Sequence, residues 1–249
     1  MNIIIPSYKR ADCLAGIEYF GEVAKWCIPK SQEVDYLKVL KQEQILSIPD
    51  EDDGSIVKKR NWILKNIARP LVMIDDDVKS IEYLEQRKEF HCDYRVLPKE
   101  QLLRFFQQGF DLAEGFHTAL WGIYFKTDSR EYKEFQPFSL SNIILGPFQC
   151  HSEHDLLFDE RMGTKEDYDM SLQMLNKYKM VLRLNKFAYR CSHGDNKGGI
   201  VSYRTMEKEI GWCRAIEKKW GRNVISYPRE IKKQAELLNG KVQVPIQGV

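Results

Sequence analysis

The feature that most constrains this chain is the run Pro70-Leu71-Val72-Met73-Ile74, which passes without interruption into Asp75-Asp76-Asp77. A continuous apolar run of this length reads as a strand buried on both faces, the situation of a parallel sheet covered by helices. Three carboxylates at the end of such a strand repel one another and need a cation or hydrogen-bond donors to stay ionised. Ligands of open α/β sheets bind at that carboxyl edge. A hard divalent ion such as Mg²⁺ or Mn²⁺ takes carboxylate oxygens and also bridges phosphates. A solvated acidic turn with a helix cap is an equal reading of the same residues.

The rest of the pattern agrees with an α/β chain. Ile3-Ile4-Ile5 predicts a first strand delivering a Pro6-Ser7-Tyr8 loop, followed by a helix over 12–26 and a second strand over 35–40. Helical spacing predicts a helix over 56–68, with Ile56, Trp62, Ile63 and Ile67 on its apolar face. A further helix opens at Pro98 and runs to about Glu114. Strands are predicted over 120–125, 143–147 and 181–184, and helices over 165–178, 203–220 and 228–238. Strand and helix alternate through the first half, which implies βαβ units and a mostly parallel sheet.

No G-x-G-x-x-G and no phosphate-binding P-loop is present, which speaks against dinucleotide enzymes and ATPases. No apolar stretch is long enough to span a membrane. The opening residues lack the pattern of a signal peptide, and six scattered cysteines form no C-x-x-C pair, so reduced thiols in a cytoplasm are expected. The net charge of +2 hides an asymmetry. Residues 177–241 hold sixteen Lys and Arg against six Asp and Glu, leaving twenty-two against thirty elsewhere. A uniformly basic nucleic-acid binder would not divide its charge this way.

Three further groups have chemical potential. Glu166-Asp167-Tyr168-Asp169 opens a helix, where acids suit the helix dipole, yet a carboxylate beside other acids can also serve as a general base. Ser192-His193-Gly194 precedes the Gly-rich loop Asp195–Gly199, where His193 suits a metal and Lys197 a phosphate. Arg60 suits a phosphate or the acidic cluster. Cys150-His151-x-x-His154 lacks the usual metal-ligand spacings and reads as a chance grouping.

In order, these pieces resemble glycosyltransferases of the GT-A fold, particularly family-2-like inverting enzymes. They are Pro6-Ser7-Tyr8-x-Arg10, Asp53-Gly54 with Arg60-Asn61, the strand ending Asp75-Asp76-Asp77, then Glu166-Asp167, then His193. Trp121-Gly122, Pro137-Phe138-Ser139, Gly146-Pro147-Phe148 and the Ser192-His193-Gly194 loop resemble, more narrowly, the TET-associated glycosyltransferases of bacteriophages. That resemblance implies an α/β fold of GT-A type with a mostly parallel central sheet, flanking helices and a Rossmann-like N-terminal half. Its catalytic core would span 1–200, with a nucleotide-sugar part at 1–97 and an acceptor part at 98–200. Residues 201–249 would form a C-terminal helical extension.

The resemblance also implies roles. Pro6, Ser7, Tyr8 and Arg10 would line the nucleotide-base pocket. Arg60 would approach the donor phosphates or brace the acidic cluster. Asp75 would contact the ribose and Asp76 the sugar, while Asp77, with Asp75 and His193, would hold Mn²⁺ or Mg²⁺. Asp167 would be the catalytic base with Glu166 beside it, and Asp169 competes for that role. Trp121, Ser139 and Lys197 would contact the acceptor. The implied reaction moves a sugar from a UDP-sugar to 5-hydroxymethylcytosine in DNA, with no membrane partner. The basic segment 177–241 is consistent with a phosphate backbone and equally with solvated helices. Other readings are a family-2-like transferase acting on a polysaccharide, a metal-dependent phosphoryl-transfer enzyme or nuclease, and a nucleic-acid-binding module.

Overall fold

The computed structural model describes residues 1–88, 91–192, 205–231, 236 and 240–243. His193, Lys197 and most of the predicted helix over 228–238 lie outside the described residues. In chain order the elements are β1 (Asn2–Pro6), α1 (Ile17–Phe20), β2 (Lys25–Pro29), α2 (Glu33–Tyr36), β3 (Ile45–Ile48), α3 (Ile56–Asn66), β4 (Leu71–Ile74), β5 (Val78–Lys88) and β6 (His91–Val96). There follow α4 (Leu102–Gly115), β7 (Leu120–Phe125), β8 (Phe138–Ser139), β9 (Phe148–His151), α5 (Glu166–Tyr178), β10 (Leu182–Cys191), α6 (Met206–Trp220), β11 (Ile225–Ser226) and β12 (Lys241–Val242).

Ten strands form one sheet in the order β3-β2-β1-β4-β9-β7-β10-β5-β6, with β8 against β10. The first four are parallel neighbours. The β9 strand runs against both β4 and β7, and β10 is parallel to β7. Hence β3, β2, β1, β4, β7 and β10 share one direction and deliver their carboxyl ends to one edge. This is the expected mostly parallel sheet with a Rossmann-like N-terminal half.

The continuous apolar runs are explained by two cores. Ile3 and Ile5 of β1 and Val72 and Ile74 of β4 enter one core with Phe20 of α1, Tyr36 of α2 and Phe105, Phe106 and Phe110 of α4. Ile4, Leu71 and Met73 enter the other, against Val57 and Ile63 of α3, Met170 and Leu172 of α5 and Ile216 of α6. Alternate residues of a strand point to opposite faces, so a strand covered on both sides has no polar position. Among the described residues no helix is long and apolar enough to cross a membrane.

Three sequence-based elements are corrected. The helix over 12–26 shrinks to the single turn of α1, and Lys25–Pro29 becomes the second strand because it pairs with β1 at Ile4–Lys25. The strand over 35–40 is instead the end of α2 and a turn. Its buried residues are Tyr36 and Leu40, four apart as on a helix, while Val39 stays exposed. The strand over 143–147 begins only at Phe148. Ile144 is held by side chains instead, with its N–H donating to Ser171 Oγ and its carbonyl accepting from Gln149 Nε2. The hairpin β5–β6 was not legible, since its sequence is rich in charge.

His151 and His154 hydrogen-bond each other at 2.9 Å, and no metal-binding group of three His, Cys, Asp or Glu exists among the described residues. The Leu156 N–H donates to His154 Nδ1, so His154 carries its proton on Nε2 and donates to His151 Nδ1. Burial, reinforced by Arg69, pushes His154 down to about 4.

Two predictions follow from this packing. A Cβ at Gly109 of α4 would lie 2.2 Å from the fully buried Trp121 ring, whereas one at Gly115 meets nothing. Gly109→Ala should therefore cost about 1–3 kcal/mol in urea unfolding, and Gly115→Ala should be neutral or slightly stabilising. The unfolded chain protonates His154 near pH 6.5 but the folded chain only near 4. The unfolded state thus binds more protons between those values, and stability should fall as pH drops from about 7 toward 4. His154→Gln should flatten that part of a pH series of melting temperatures.

Candidate functional site

Four chain segments converge at the carboxyl edge of the sheet: the ends of β1 and β4, the turn before β9, and the first turn of α5. The Pro147 carbonyl accepts from Asp75 N–H at 3.1 Å, which joins the end of β4 to that turn. The Asp77 carbonyl accepts from Ser192 N–H at 2.9 Å, which brings in the end of β10.

Arg60 is the centre of this site. It lies on α3, is 1% exposed, and donates to Asp75 Oδ1 at 2.6 Å, Glu166 Oε1 at 2.7 Å and the Gly146 carbonyl at 2.9 Å. Gly146 in turn donates its N–H to Asp167 Oδ2 at 2.9 Å. A side chain at Gly146 would place its Cβ 2.8 Å from Arg60 Nη1, so only glycine allows this approach. Of its two expected roles, the geometry matches bracing the acidic cluster, since Arg60 is closed to solvent and bonded to two carboxylates.

The three aspartates differ in their partners. Asp76 is buried and accepts from Ser7 Oγ at 2.6 Å and from Arg10. Ser7 has a single proton, so Tyr36 O–H donates to Ser7 Oγ at 2.7 Å. Asp76 is therefore turned toward the β1 loop, joining Ser7 and Arg10. Pro6 closes β1 in the core, and the half-buried Tyr8 ring lies 5.7 Å from Lys59 Nζ. Asp75 remains partly open, held on one oxygen by Arg60. Asp77 keeps Oδ1 buried without a partner. Burial first, and then the charges of Asp75 and Asp76, push the Asp77 carboxyl up from its ordinary range.

These residues fit a hard divalent cation. Asp75 is partly open at the end of β4, Asp77 follows it by two residues, and the orphaned buried oxygen of Asp77 is the donor that a cation would satisfy. Two carboxylates with substrate phosphates are a sufficient set for Mg²⁺.

The acids of α5 also separate. Asp167 is half-buried; its oxygens accept from Gly146 N–H and, at 2.7 Å, from Tyr168 N–H. Burial raises its proton affinity, and those two N–H groups with Arg60 hold the rise back. Glu166 is buried and paired with Arg60, and burial followed by the Asp167 charge raises it as well. Asp169 has no exposed surface. It accepts from Trp220 Nε1 at 2.7 Å, Lys219 Nζ at 2.9 Å and Gln173 Nε2 at 2.8 Å, so it anchors α6 and is closed to an acceptor. That removes it from competition for the base.

Trp121 is corrected too. It is fully buried among Phe105, Phe110 and Phe148 and has no surface to offer an acceptor. Ser139 lies in β8, paired with Arg183 of β10 and away from the aspartates. Sequence reasoning missed Lys59. Its ammonium is 2% exposed, pairs with Asp53 at 2.6 Å and donates to the Ser7 carbonyl, clamping the β1 loop. The run Lys58-Lys59-Arg60 resembles a solvated helix face, and nothing in it marks the middle residue as buried.

Arg60→Lys keeps the charge but cannot reach two carboxylates and a carbonyl at once. It should lower unfolding free energy by about 3–5 kcal/mol, the range for breaking a buried pair, and a urea titration reads this directly.

A family model described as TET-associated glycosyltransferase matches residues 1–199. No curated protein matches the chain in sequence. Among solved structures, S. aureus TarS 1–349 is similar over 89% of this chain and 73% of that one, with 13% identity and a TM-score of 0.46. At that score nothing further rests on the likeness.

Proposed function

This chain belongs to the TET-associated glycosyltransferase family and is a glycosyltransferase, and from that premise we propose that it moves a sugar from a UDP-sugar to the hydroxyl of 5-hydroxymethylcytosine in DNA, with inversion and with Mn²⁺ or Mg²⁺. The observation that carries the proposed mechanism is the Arg60 bridge, which ties a donor-side carboxylate, Asp75, to the acceptor-side pair Glu166 and Asp167 within one hydrogen-bonded unit.

Asp167 is the proposed base. It takes the proton of the acceptor hydroxyl as that oxygen bonds to the anomeric carbon. The bond from that carbon to the β-phosphate oxygen breaks on the opposite face, and its electron pair leaves with UDP. Raised proton affinity with one side open suits a base that must accept a proton near neutrality. Glu166, locked to Arg60, positions Asp167 rather than exchanging protons. Asp75 and Asp77, with His193, would hold the divalent ion, which when bound neutralises charge on the departing diphosphate. Ser7, Tyr8 and Arg10 line the loop that would receive the nucleotide. Asp76 is spent on fixing that loop.

Incubation with Mn²⁺, a panel of UDP-sugars and DNA containing hydroxymethylcytosine or hydroxymethyluracil should add one sugar mass to the modified nucleoside. Asp167→Asn should reduce kcat about 10²–10⁴-fold, the usual worth of a positioned base, with UDP affinity retained. Asp77→Asn should weaken UDP binding in the presence of Mn²⁺. Absence of any mass gain rejects the DNA acceptor, and near-normal turnover in Asp167→Asn rejects the base.

A further inference from the structure

The fully buried cations Lys59, Arg60 and Lys165 each have a carboxylate partner: Asp53, Asp75 with Glu166, and Glu209. Arg183 of β10, less deeply placed, has no such partner among the described residues. Its guanidinium is half-buried and lies 4.4 Å from the centre of the Tyr124 ring, and its Nε–H donates to Asn185 Oδ1 at 2.9 Å. Among the described residues no carboxylate forms an ion pair with it. Burial lowers its proton affinity, and the groups acting back are the phenols of Tyr124 and Tyr189. A cation withdrawn from water without a counter-charge is unfavourable, and an anion arriving from outside would relieve it.

Arg183 is not isolated. Lys126 directly follows β7, two residues beyond Tyr124, and its N–H donates to the Tyr189 carbonyl at 3.2 Å, so the two side chains share one face. Lys126 stands 4.8 Å from the Tyr94 ring of β6 and pairs with Glu82 of β5. Arg190 of β10 lies 3.9 Å from the other oxygen of Glu82 and is 57% exposed. Among the described residues this face thus holds three cations and two phenol rings, with Glu82 as the carboxylate that Lys126 and Arg190 share and Arg183 does not reach. Arg183 is level with Gly122, and Tyr189 with Phe125, because residues between Leu184 and Ala188 are taken up by an irregularity in β10. Arg183 and Lys126 are therefore about four strand residues apart, or about 13 Å. That is close to four base-pair rises of about 3.4 Å. The row leads to Cys191, whose successor Ser192 is bonded to Asp77.

We propose that this face of β5, β6, β7 and β10 binds the phosphodiester backbone of the acceptor DNA, with Arg183 as its anchor and Arg190 and Lys126 carrying the strand toward the catalytic edge. Cations alternating with aromatic rings match a nucleic-acid strand better than a neutral sugar polymer. The inference rests on the reading that the acceptor is DNA.

The test titrates a fluorescent unmodified duplex against the full chain by anisotropy, at several salt concentrations, with melting temperature as the fold control. Arg183→Gln and Arg190→Gln should each weaken binding and lower the salt slope by about 1. Lys65→Gln, which removes the same charge from the exposed side of α3, should leave the slope unchanged. Folded variants that keep wild-type affinity and slope, in a protein that does modify DNA, would overturn this surface alone. A wild-type chain that binds no duplex would overturn the DNA reading and the surface together. Should Arg183→Gln fail to fold, the exposed Arg190→Gln decides.

Discussion

The site depends on one buried guanidinium. Arg60 gives up its hydration entirely, a loss of several kcal/mol, and regains it only because Asp75, Glu166 and the Gly146 carbonyl arrive together. Two of these come from segments more than eighty residues away in sequence. The charge-assisted bonds therefore act as a distance constraint between the end of β4 and the start of α5. They set the separation of Asp75 and Glu166 before any substrate binds.

Around that bridge, the acids differ in which neighbours claim their oxygens. Asp76 is claimed by Ser7 and Arg10, and Asp75 by Arg60, while Asp77 retains an unclaimed oxygen. On α5, residues two apart are turned about 200° from each other. With Asp169 directed into α6, Asp167 must face the opposite way, toward Gly146 and the sheet edge. Helix α6 lies outside the region matched by the family model, and it nonetheless fixes the rotation of the helix that presents the proposed base.

The sequence made the strands of the buried sheet legible where both faces are covered, as in β1 and β4, because no polar position interrupts them. It also marked α3, α4, β7 and α5, whose apolar spacing is regular. It misled at β2, where the helical spacing over 12–26 runs into the start of the strand, and pairing with β1 decided the outcome. The charged hairpin β5–β6 was hidden because its stability comes from cross-strand neighbours. Trp121 attracted attention as an aromatic residue in a motif-like setting, yet its ring fills the core under Gly109.

By itself, then, the sequence determined an α/β chain, the acidic end of β4 and the ordered set of residues that identifies the family, because strand burial and motif order are local properties of the letters. Only the tertiary structure decided which acids are paired, which oxygens are left without a partner, that Asp169 anchors a helix, and that Arg183 has no carboxylate partner among the described residues. Those outcomes depend on the partners that long-range packing brings within about 3 Å, the reach of a hydrogen bond, and no local pattern encodes them.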